Sequence, residues 1–461
     1  MRTSRTVVVA AGLLVAPPAC NTDVTNPGLT PDRDLDKPAA WPAVVVGARR
    51  ALSDAIGSSA LTGGQLLYWG AAVSFEINPA GSTGSFGIPT DVQVGLPTDA
   101  TMNADWTSSN VARYTPEAGV ARFKRIMPDT LFPKSLLVAQ AYLYAGFANR
   151  LLGENFCQSV LPIVVPDTTA YVLSPGSLGS HTLYFLRADT AFTNAIATFT
   201  ASGDTTTQTA NFILAARAGR ASVRADLATY GLAPWSDALS DAALVSNNAF
   251  VFQAPYSSAA PDQYNYLYWA RANQSFRAHT QWGTFYEGYY RVTRDPRVRW
   301  DTGGLKGDAA VAKFGGRVPF WPEAKYTTTS APVRLSSGWE MRLIEAEAAL
   351  VAGDTATARA KMNIRRTALA LPGVTFTNLT EAWTALKTER AIELWLEARH
   401  LGDLRRWTNN SVPGGYIDGT YRGSVADTLH ATPIETMTAP VARVLCFPVG
   451  RNERETNPNV P

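Results

Sequence analysis

Runs of helical periodicity that follow one another in pairs constrain this fold most. Alanine and larger apolar residues recur in these runs at three- and four-residue spacing, and turn residues separate the runs. Gly153 and Gly353 are predicted to end helices, and Asp354 is predicted to cap the helix after it. The runs cover 111–127, 131–152, 181–199, 210–230, 235–245, 339–351 and 354–370. The pattern therefore predicts a mainly α fold of antiparallel helix pairs.

The segment 389–407, ERAIELWLEARHLGDLRRW, adds a column of charge to a helical pattern. Glu389, Glu393 and Glu397 recur every fourth residue, so a continuous helix would stack their carboxylates along one side. Partly buried carboxylates need cations, and guanidinium groups suit them best. The cations nearest in sequence are Arg390, Arg399, Arg405 and Arg406. We interpret the segment as a helix whose buried charge network fixes the packing of its neighbours.

The first 20 residues resemble an export signal that ends at a cysteine. Arg2 and Arg5 precede an apolar run over 7–15, and small residues lead to Cys20. We predict a signal peptide over 1–19, lipid attachment at Cys20 and a polar tether over 20–40. Plain secretion is the alternative, because the residues before Cys20 depart from the usual lipoprotein pattern. No later stretch reaches the ~18 uninterrupted apolar residues that a membrane-spanning helix needs.

Two cysteines remain, Cys157 and Cys446. Export permits a disulfide between them, and two buried free thiols are the alternative. A metal site is not expected at these cysteines, because two thiolates supply half of a tetrahedral site and no histidine is near either in sequence. Glu393, Glu397 and His400 resemble one half of a carboxylate-histidine metal site, but the second half is missing. We therefore expect no metal.

The chain carries no catalytic or cofactor signature. It has no nucleophile elbow, no zinc-protease motif, no Walker loop and no Rossmann fingerprint, so we expect no catalytic residues and no cofactor. A net charge of +3 over 461 residues gives no electrostatic footprint for nucleic acid. A glycosidase needs only two carboxylates, so a secreted or periplasmic glycan-active hydrolase on a helical scaffold stays open as the alternative to a binding protein.

Motifs along the chain resemble the SusD/RagB family of nutrient-binding lipoproteins. Within 389–407, the pattern ER..EL..E..R..DL.RW is that of the family's late helix, and Ala398 stands where the family often has glycine. We expect this alanine to be tolerated, because it favours helix. The other matching segments are MRLIEAEAALVAGD at 341–354, the alanine-rich 214–231, Asp295-Pro296-Arg297, and a closing segment with Phe447-Pro448-Val449, Glu453 and Asn457-Pro458-Asn459.

The resemblance implies one SusD-like domain over 20–461, built from tetratricopeptide-like helix pairs near 107–152, 181–246 and 337–409. It also implies a loop-rich ligand-binding insert near 250–335. The implied function is a surface-exposed outer-membrane lipoprotein that binds a glycan or another nutrient. Its implied partner is a SusC-like TonB-dependent transporter, to which it delivers the ligand.

Two aromatic stretches outside the helix pairs are candidates for the ligand site. Sugars present apolar C–H faces and hydroxyls, so exposed rings with polar neighbours would bind them. One stretch is Tyr68-Trp69, before the Gly- and Ser-rich loop 78–97, and the other runs over 256–290 with eleven aromatic residues. The candidate residues are Tyr68, Trp69, Trp282, Tyr286, Tyr289 and Tyr290. The alternative is that these rings pack the loops onto the helical scaffold.

Overall fold

The computed structural model describes residues 32–58, 64–81, 87–165, 172–272, 277–302, 304–309, 311, 316–415 and 444–461. The predicted signal peptide and Cys20 lie outside these residues, as does the tether up to residue 31. The predicted mainly α fold is confirmed. Helices of the described part are α1 Trp41–Gly57, α2 Leu66–Val73, α3 Thr90–Gln93, α4 Asn103–Ile126, α5 Leu136–Asn155, α6 Thr182–Ser202, α7 Thr207–Thr229, α8 Trp235–Leu244, α9 Tyr266–Ala272, α10 Phe285–Thr293, α11 Gly338–Val351, α12 Thr355–Ala368, α13 Leu379–Glu393, α14 His400–Asn409 and α15 Arg451–Thr456.

The strands are short and pair two by two, always antiparallel. They are β1 Asn78–Pro79, β2 Gln158–Val160, β3 Ile163–Val165, β4 Val172–Ser174, β5 Leu178–Ser180, β6 Val251–Ala254, β7 His279–Thr280 and β8 Val333–Ser337. Strand β1 pairs with β7, β2 with β5, β3 with β4, and β6 with β8. The β1–β7 and β6–β8 pairs join distant parts of the sequence, so they tie loops to the helical scaffold.

Successive helices pack as the pair pattern predicts, α4 on α5, α5 on α6, α6 on α7, and α11 on α12. Gly353 ends α11 with a φ of 78°, and the Asp354 side chain accepts a hydrogen bond from Thr357 N at 2.9 Å, so both predictions are confirmed. The prediction for Gly153 was wrong, because α5 continues to Asn155. A Cβ at Gly153 would lie 2.6 Å from the Phe185 ring on α6, so this glycine permits close helix packing.

The segment 389–407 is not one helix, so that prediction was wrong. Helix α13 ends at Glu393, α14 begins at His400, and Leu396 and Ala398 between them have φ values of 57° and 59°. Glycine adopts this left-handed conformation without strain, so the family's glycine at position 398 reflects a turn. The expectation that alanine suits the position by favouring helix was therefore also wrong.

Side chains from elsewhere in the chain satisfy the backbone of this turn. The Tyr326 hydroxyl donates to Leu396 O at 2.6 Å, Lys325 Nζ donates to Trp395 O, and Leu396 N donates to Glu76 Oε1 at 2.7 Å. Such bonds replace those that a continuing helix would make within itself. Tertiary contacts therefore decide where α13 ends.

The buried charge network is confirmed, although its cations come from distant segments. Glu389, Glu393 and Glu397 are at most 5% exposed, and each contacts two or three cations. Glu389 contacts Arg366 at 2.6 Å and Arg297 at 2.9 Å. Glu393 contacts Arg334 at 2.9 Å, Arg365 at 3.2 Å and Arg297 at 3.3 Å. Glu397 contacts Lys325 at 2.6 Å and Arg334 at 2.7 Å. Although burial raises the pKa of Glu393, the surrounding guanidinium groups hold it below its usual value.

The arginines within the 389–407 segment pair with a second set of acids. Arg390 and Arg406 both contact Asp403, at 3.0 and 2.9 Å. Arg406 also reaches Glu347 on α11 at 2.6 Å, and Arg399 contacts Glu154 at the end of α5 at 2.8 Å. Burial raises the pKa of Asp403, but these guanidinium groups outweigh it and hold that pKa well below its usual range. The turn and α14 are thereby bonded to the earlier helix pairs.

The structure joins Cys157 and Cys446 by a disulfide, with their Sγ atoms 2.12 Å apart. Next to it, Phe447 N donates to Asn155 O and Cys157 N donates to Phe447 O, at 2.7 and 2.9 Å. The C-terminal segment is therefore fixed to the end of α5. No helix in the described part of the chain is both long and apolar enough to cross a bilayer.

Glu393→Gln should lower the free energy of unfolding by about 3 kcal/mol, because it leaves three arginines with a buried, uncharged partner. Denaturant unfolding of the purified chain measures this loss. Glu455→Gln on exposed α15 makes the same charge change and should alter stability by less than about 0.5 kcal/mol. Equal losses in the two variants would contradict the structural role assigned to Glu393.

Candidate functional site

Three separate segments meet beside α10 and form one loop-built surface. Strand β1 pairs with β7 in the register Asn78↔Thr280. Residues 300–323 form an irregular antiparallel hairpin, with bridges Trp300↔Glu323, Lys306↔Pro319 and Val311↔Gly316 in its described parts. We call this the 300–323 hairpin. Gln281 N donates to Trp321 O at 2.8 Å, which joins the hairpin to the chain directly after β7.

Thr280 holds the junction together. Its Oγ1 accepts hydrogen bonds from Trp321 N at 2.9 Å and from Trp282 N at 3.1 Å, and it donates to Pro319 O at 2.9 Å. Asn78 Nδ2 also donates to Trp282 O at 3.0 Å. The backbones that carry Trp282 and Trp321 are therefore held side by side.

The returning arm of the 300–323 hairpin alternates between exposed and buried residues. Arg317, Pro319 and Trp321 are exposed or part-exposed, whereas Val318 and Phe320 are buried. Side chains of an extended strand point alternately to its two faces. Trp321 and Arg317 therefore share the outward face, and the inward face packs on the protein.

Stacked rings fix the position of Trp321. The Trp300 and Trp321 rings lie 5.0 Å apart with planes 10° apart, and Tyr290 meets Trp300 edge-on at 5.8 Å. The Arg291 guanidinium lies 5.8 Å from the Trp321 ring centroid, and that of Arg294 lies 5.5 Å from the Tyr290 centroid. Tyr290, Trp321 and nearby Trp282 are all part-exposed. We call these three residues the outer rings.

Two predicted site residues on α10 instead face the core. Tyr286 is 1% exposed and stacks on Trp395 at 5.4 Å. Tyr289 is buried too, and its hydroxyl donates to Asp295 Oδ2 at 3.0 Å. The expectation that they contact ligand does not fit this placement, because neither ring has an open face. Helix α10 thus buries one side and presents Tyr290 on the other.

Tyr68 and Trp69, the other predicted pair, lie on α2, whose residues are all buried. Tyr68 packs edge-on against His279 at 5.2 Å, and Trp69 Nε1 donates to Asp105 Oδ2 at 3.1 Å. Their rings hold α2 against α4 and β7, which corresponds to the loop-packing alternative. Neither ring therefore offers an exposed face to a ligand.

Of the six predicted rings, Trp282 and Tyr290 remain candidates. Sequence reasoning missed Trp300 and Trp321, since the aromatic stretch was ended at residue 290. The sequence at 317–321, Arg-Val-Pro-Phe-Trp, gives no polar/apolar alternation, so the exposed side of this arm is visible only in the structure. The hydrogen bonds to Thr280, a tertiary contact, hold the Trp321 backbone beside that of Trp282. The Trp282 ring packs on a buried cluster that includes Val318.

Two carboxylates near the outer rings are paired with arginines. Glu287 contacts Arg291, and Asp301 contacts Arg299 at 3.2 Å. Within the described residues, no group of three or more His, Cys, Asp or Glu side chains is placed to hold a metal ion. His400, from the metal pattern in the sequence, is buried, and burial lowers its pKa to about 4.

Two surface cavities lie away from the outer rings. One, of about 460 Å³, lies between α4, α5 and α6 and has Tyr142, Leu183 and Leu186 among its lining. The other, of about 330 Å³, lies between α1 and the 255–263 loop. Neither is lined by any of the six candidate residues, although Tyr256 of the 256–290 stretch lines the second.

Glu76 lies behind the buried rings, and no cation of the described residues makes an ion pair with it. Its Oε1 accepts a hydrogen bond from Leu396 N at 2.7 Å, and Ser74 Oγ lies 3.3 Å from Oε2. Burial raises the pKa of Glu76 from 4.5 to about 7, although these hydrogen bonds and Lys325 oppose the shift. The folded protein therefore retains a proton here that the unfolded chain releases at lower pH.

Because that pKa is raised on folding, wild-type stability should fall as pH rises from 4.5 to about 7. Glu76→Gln keeps both hydrogen bonds and carries no charge. Relative to the wild type, its free energy of unfolding should therefore rise by roughly 3 kcal/mol across this pH range. Denaturant unfolding at pH 5 and pH 8 measures the difference. Exposed Glu455→Gln should show no such gain. A Glu76→Gln effect independent of pH would contradict the shifted pKa.

The fold and the outer rings together define a class: a helical-repeat protein with an aromatic surface built on the loops between its helix pairs. Residues 321–460 match the family model described as the SusD family. No curated protein matches the chain. The resemblance to the SusD/RagB family predicted from the sequence is confirmed by this match and by the fold.

Solved structures show the same fold over most of the chain. A SusD superfamily protein from Parabacteroides distasonis has a TM-score of 0.65 at 13% identity, covering 92% of this chain and 98% of that one. Surface glycan-binding protein A from Bacteroides uniformis has a TM-score of 0.64 at 14% identity, covering 92% and 99%. A laminarin-binding SusD-like protein has a TM-score of 0.57 at 14% identity, covering 81% and 92%. At these identities the likeness is one of fold.

Proposed function

We propose that this protein binds a glycan on the outer rings Trp282, Tyr290 and Trp321 and delivers it to a SusC-like TonB-dependent transporter. Part-exposed rings on a braced loop surface are the observation that carries the proposal. Aromatic faces stack on the C–H faces of sugars, and neighbouring guanidinium and amide groups bond to hydroxyls.

The comparisons support this reading through fold and through two relatives. The B. uniformis relative is named as a glycan-binding protein, and another is described as laminarin-binding. Delivery to a transporter rests on the family resemblance. No specific observation favours the hydrolase alternative, and two acids near the outer rings, Glu287 and Asp301, contact arginines.

Truncation of an outer ring should cost affinity. Trp282→Ala, Tyr290→Ala or Trp321→Ala should each weaken glycan binding by roughly one to two decades, through loss of the stacking surface. Calorimetric titration with a glycan selected on an array measures the affinity, and denaturant unfolding of the same variants measures stability.

Tyr286→Ala is the matched control, because Tyr286 lies on the same helix as Tyr290 but is buried. It should lower the free energy of unfolding by about 3–5 kcal/mol and leave the affinity of the folded protein unchanged. Unchanged affinity in all three outer-ring variants would refute the proposed site. Release of shorter sugars during the titration would instead support the hydrolase.

We also propose that the mature chain begins at Cys20 as a surface-exposed lipoprotein of the outer membrane. Cys20→Ser should then move the protein from the membrane fraction to the soluble fraction, because the acyl chains hold it there. Thr22→Ser, two residues away, should leave it membrane-bound. Mass spectrometry of the native N-terminus provides the decisive measurement, and an unmodified cysteine or another start would refute the anchor.

A further inference from the structure

Positive charge is concentrated in the segment that builds the outer-ring surface. Residues 277–320 contain eight Lys or Arg and four Asp or Glu, a surplus of four positive charges, whereas the whole chain carries +3. The remainder of the chain is therefore close to neutral. A local surplus of this kind attracts anions to the surface that carries it.

Part of this charge is used inside the protein. Arg297 is buried and contacts Asp295 at 2.6 Å as well as the Glu389 and Glu393 carboxylates. Arg291 contacts buried Glu287. These arginines hold the fold together, so they account for little of the surplus at the surface.

Arg299 is exposed but contacts Asp301 at 3.2 Å. Three further described cations of the segment are exposed: Arg294, Lys306 and Arg317. Among the residues that the structure describes, no carboxylate pairs with any of them. Arg294 lies against the Tyr290 ring, and Arg317 Nε donates to Gly307 O at 2.6 Å. Both side chains are thereby oriented, and each keeps guanidinium N–H groups for a ligand.

These cations lie beside the outer rings. Lys306 is the bridge partner of Pro319, and residues bridged across antiparallel strands point to the same face. Pro319 shares its face with Arg317 and Trp321 through the alternation of exposure. Lys306, Arg317 and Trp321 therefore face outward together, and Arg294 lies at the Tyr290 end of the same surface.

We propose that the ligand of the outer-ring surface is an acidic oligosaccharide, whose carboxylate or sulfate groups pair with Arg294, Lys306 and Arg317. This inference rests on the proposed glycan-binding function and specifies its substrate class. The planar guanidinium group matches carboxylate and sulfate oxygens with two parallel N–H donors. Cations next to stacking rings thus favour a sugar chain that carries anionic groups over a neutral one.

An array of neutral, carboxylated and sulfated oligosaccharides, probed with the purified mature chain, tests the inference. Acidic oligosaccharides should bind, and raising NaCl from about 0.05 M to about 0.5 M should weaken binding roughly tenfold, because salt screens exposed ion pairs. Arg294→Gln and Arg317→Gln should each weaken binding roughly fivefold to tenfold. Binding to only the carboxylated or only the sulfated members would identify the anionic group, and either result supports the inference.

Arg125→Gln is the matched control, since it removes the same charge from a half-exposed arginine at the end of α4 and should leave affinity unchanged. Binding of neutral oligosaccharides alone, lost in Trp321→Ala, would overturn the acidic ligand and leave the proposed function standing. Acidic binding that both arginine variants retain in full would also overturn the inference. Absence of binding to every oligosaccharide would refute the inference together with the proposed function.

Discussion

Ion pairing of the buried Glu389, Glu393 and Glu397 carboxylates is the interaction on which the rest of the structure depends. A buried carboxylate without a cation costs several kcal/mol, so each one fixes the segment that supplies its partner. Those segments are the residues just before and just after the 300–323 hairpin, β8 and α12. One column of acids therefore positions four segments that lie between residues 297 and 366.

This constraint reaches the proposed ligand surface directly. Arg297 lies just before the 300–323 hairpin and binds Glu389 and Glu393, whereas Lys325 lies just after it and binds Glu397. Both ends of the hairpin that carries Trp300 and Trp321 are thereby fixed to the acid column. A ring held in place before binding loses less conformational entropy when a ligand stacks on it. The buried charges thus fix the hairpin that carries the proposed ligand surface.

The helix pairs depend on a different constraint, the close approach of alanine-rich faces. A Cβ at Gly146 or at Gly219 would lie within 2.6 Å of the Phe192 ring, so α5 and α7 both lack side chains where α6 presents that ring. Glycine in a helix interior costs about 1 kcal/mol relative to alanine. The packing of a whole aromatic ring offsets that cost. Uncharged packing of one ring therefore joins α5, α6 and α7, in addition to the ion pairs that fix the other segments.

The sequence by itself determined the helical class, the pairing of helices, and the stop and cap at Gly353 and Asp354. These features follow from local periodicity and backbone preference, which act within a few residues. The sequence also indicated that the acid column needs cations, and its motifs showed the family resemblance. The partners it suggested, Arg390, Arg399, Arg405 and Arg406, were neighbours in sequence, whereas the true partners come from 297, 325, 334, 365 and 366.

Tertiary structure alone decided the break between α13 and α14, because the bonds that replace the helix there come from Glu76, Lys325 and Tyr326. It also decided which rings are exposed. Tyr286 and Tyr290 are chemically alike and four residues apart, yet one stacks on Trp395 in the core and the other lies at the surface. The residue type alone does not tell a buried tyrosine from an exposed one. What separates them is the segment that packs on each, and long-range contacts choose that segment.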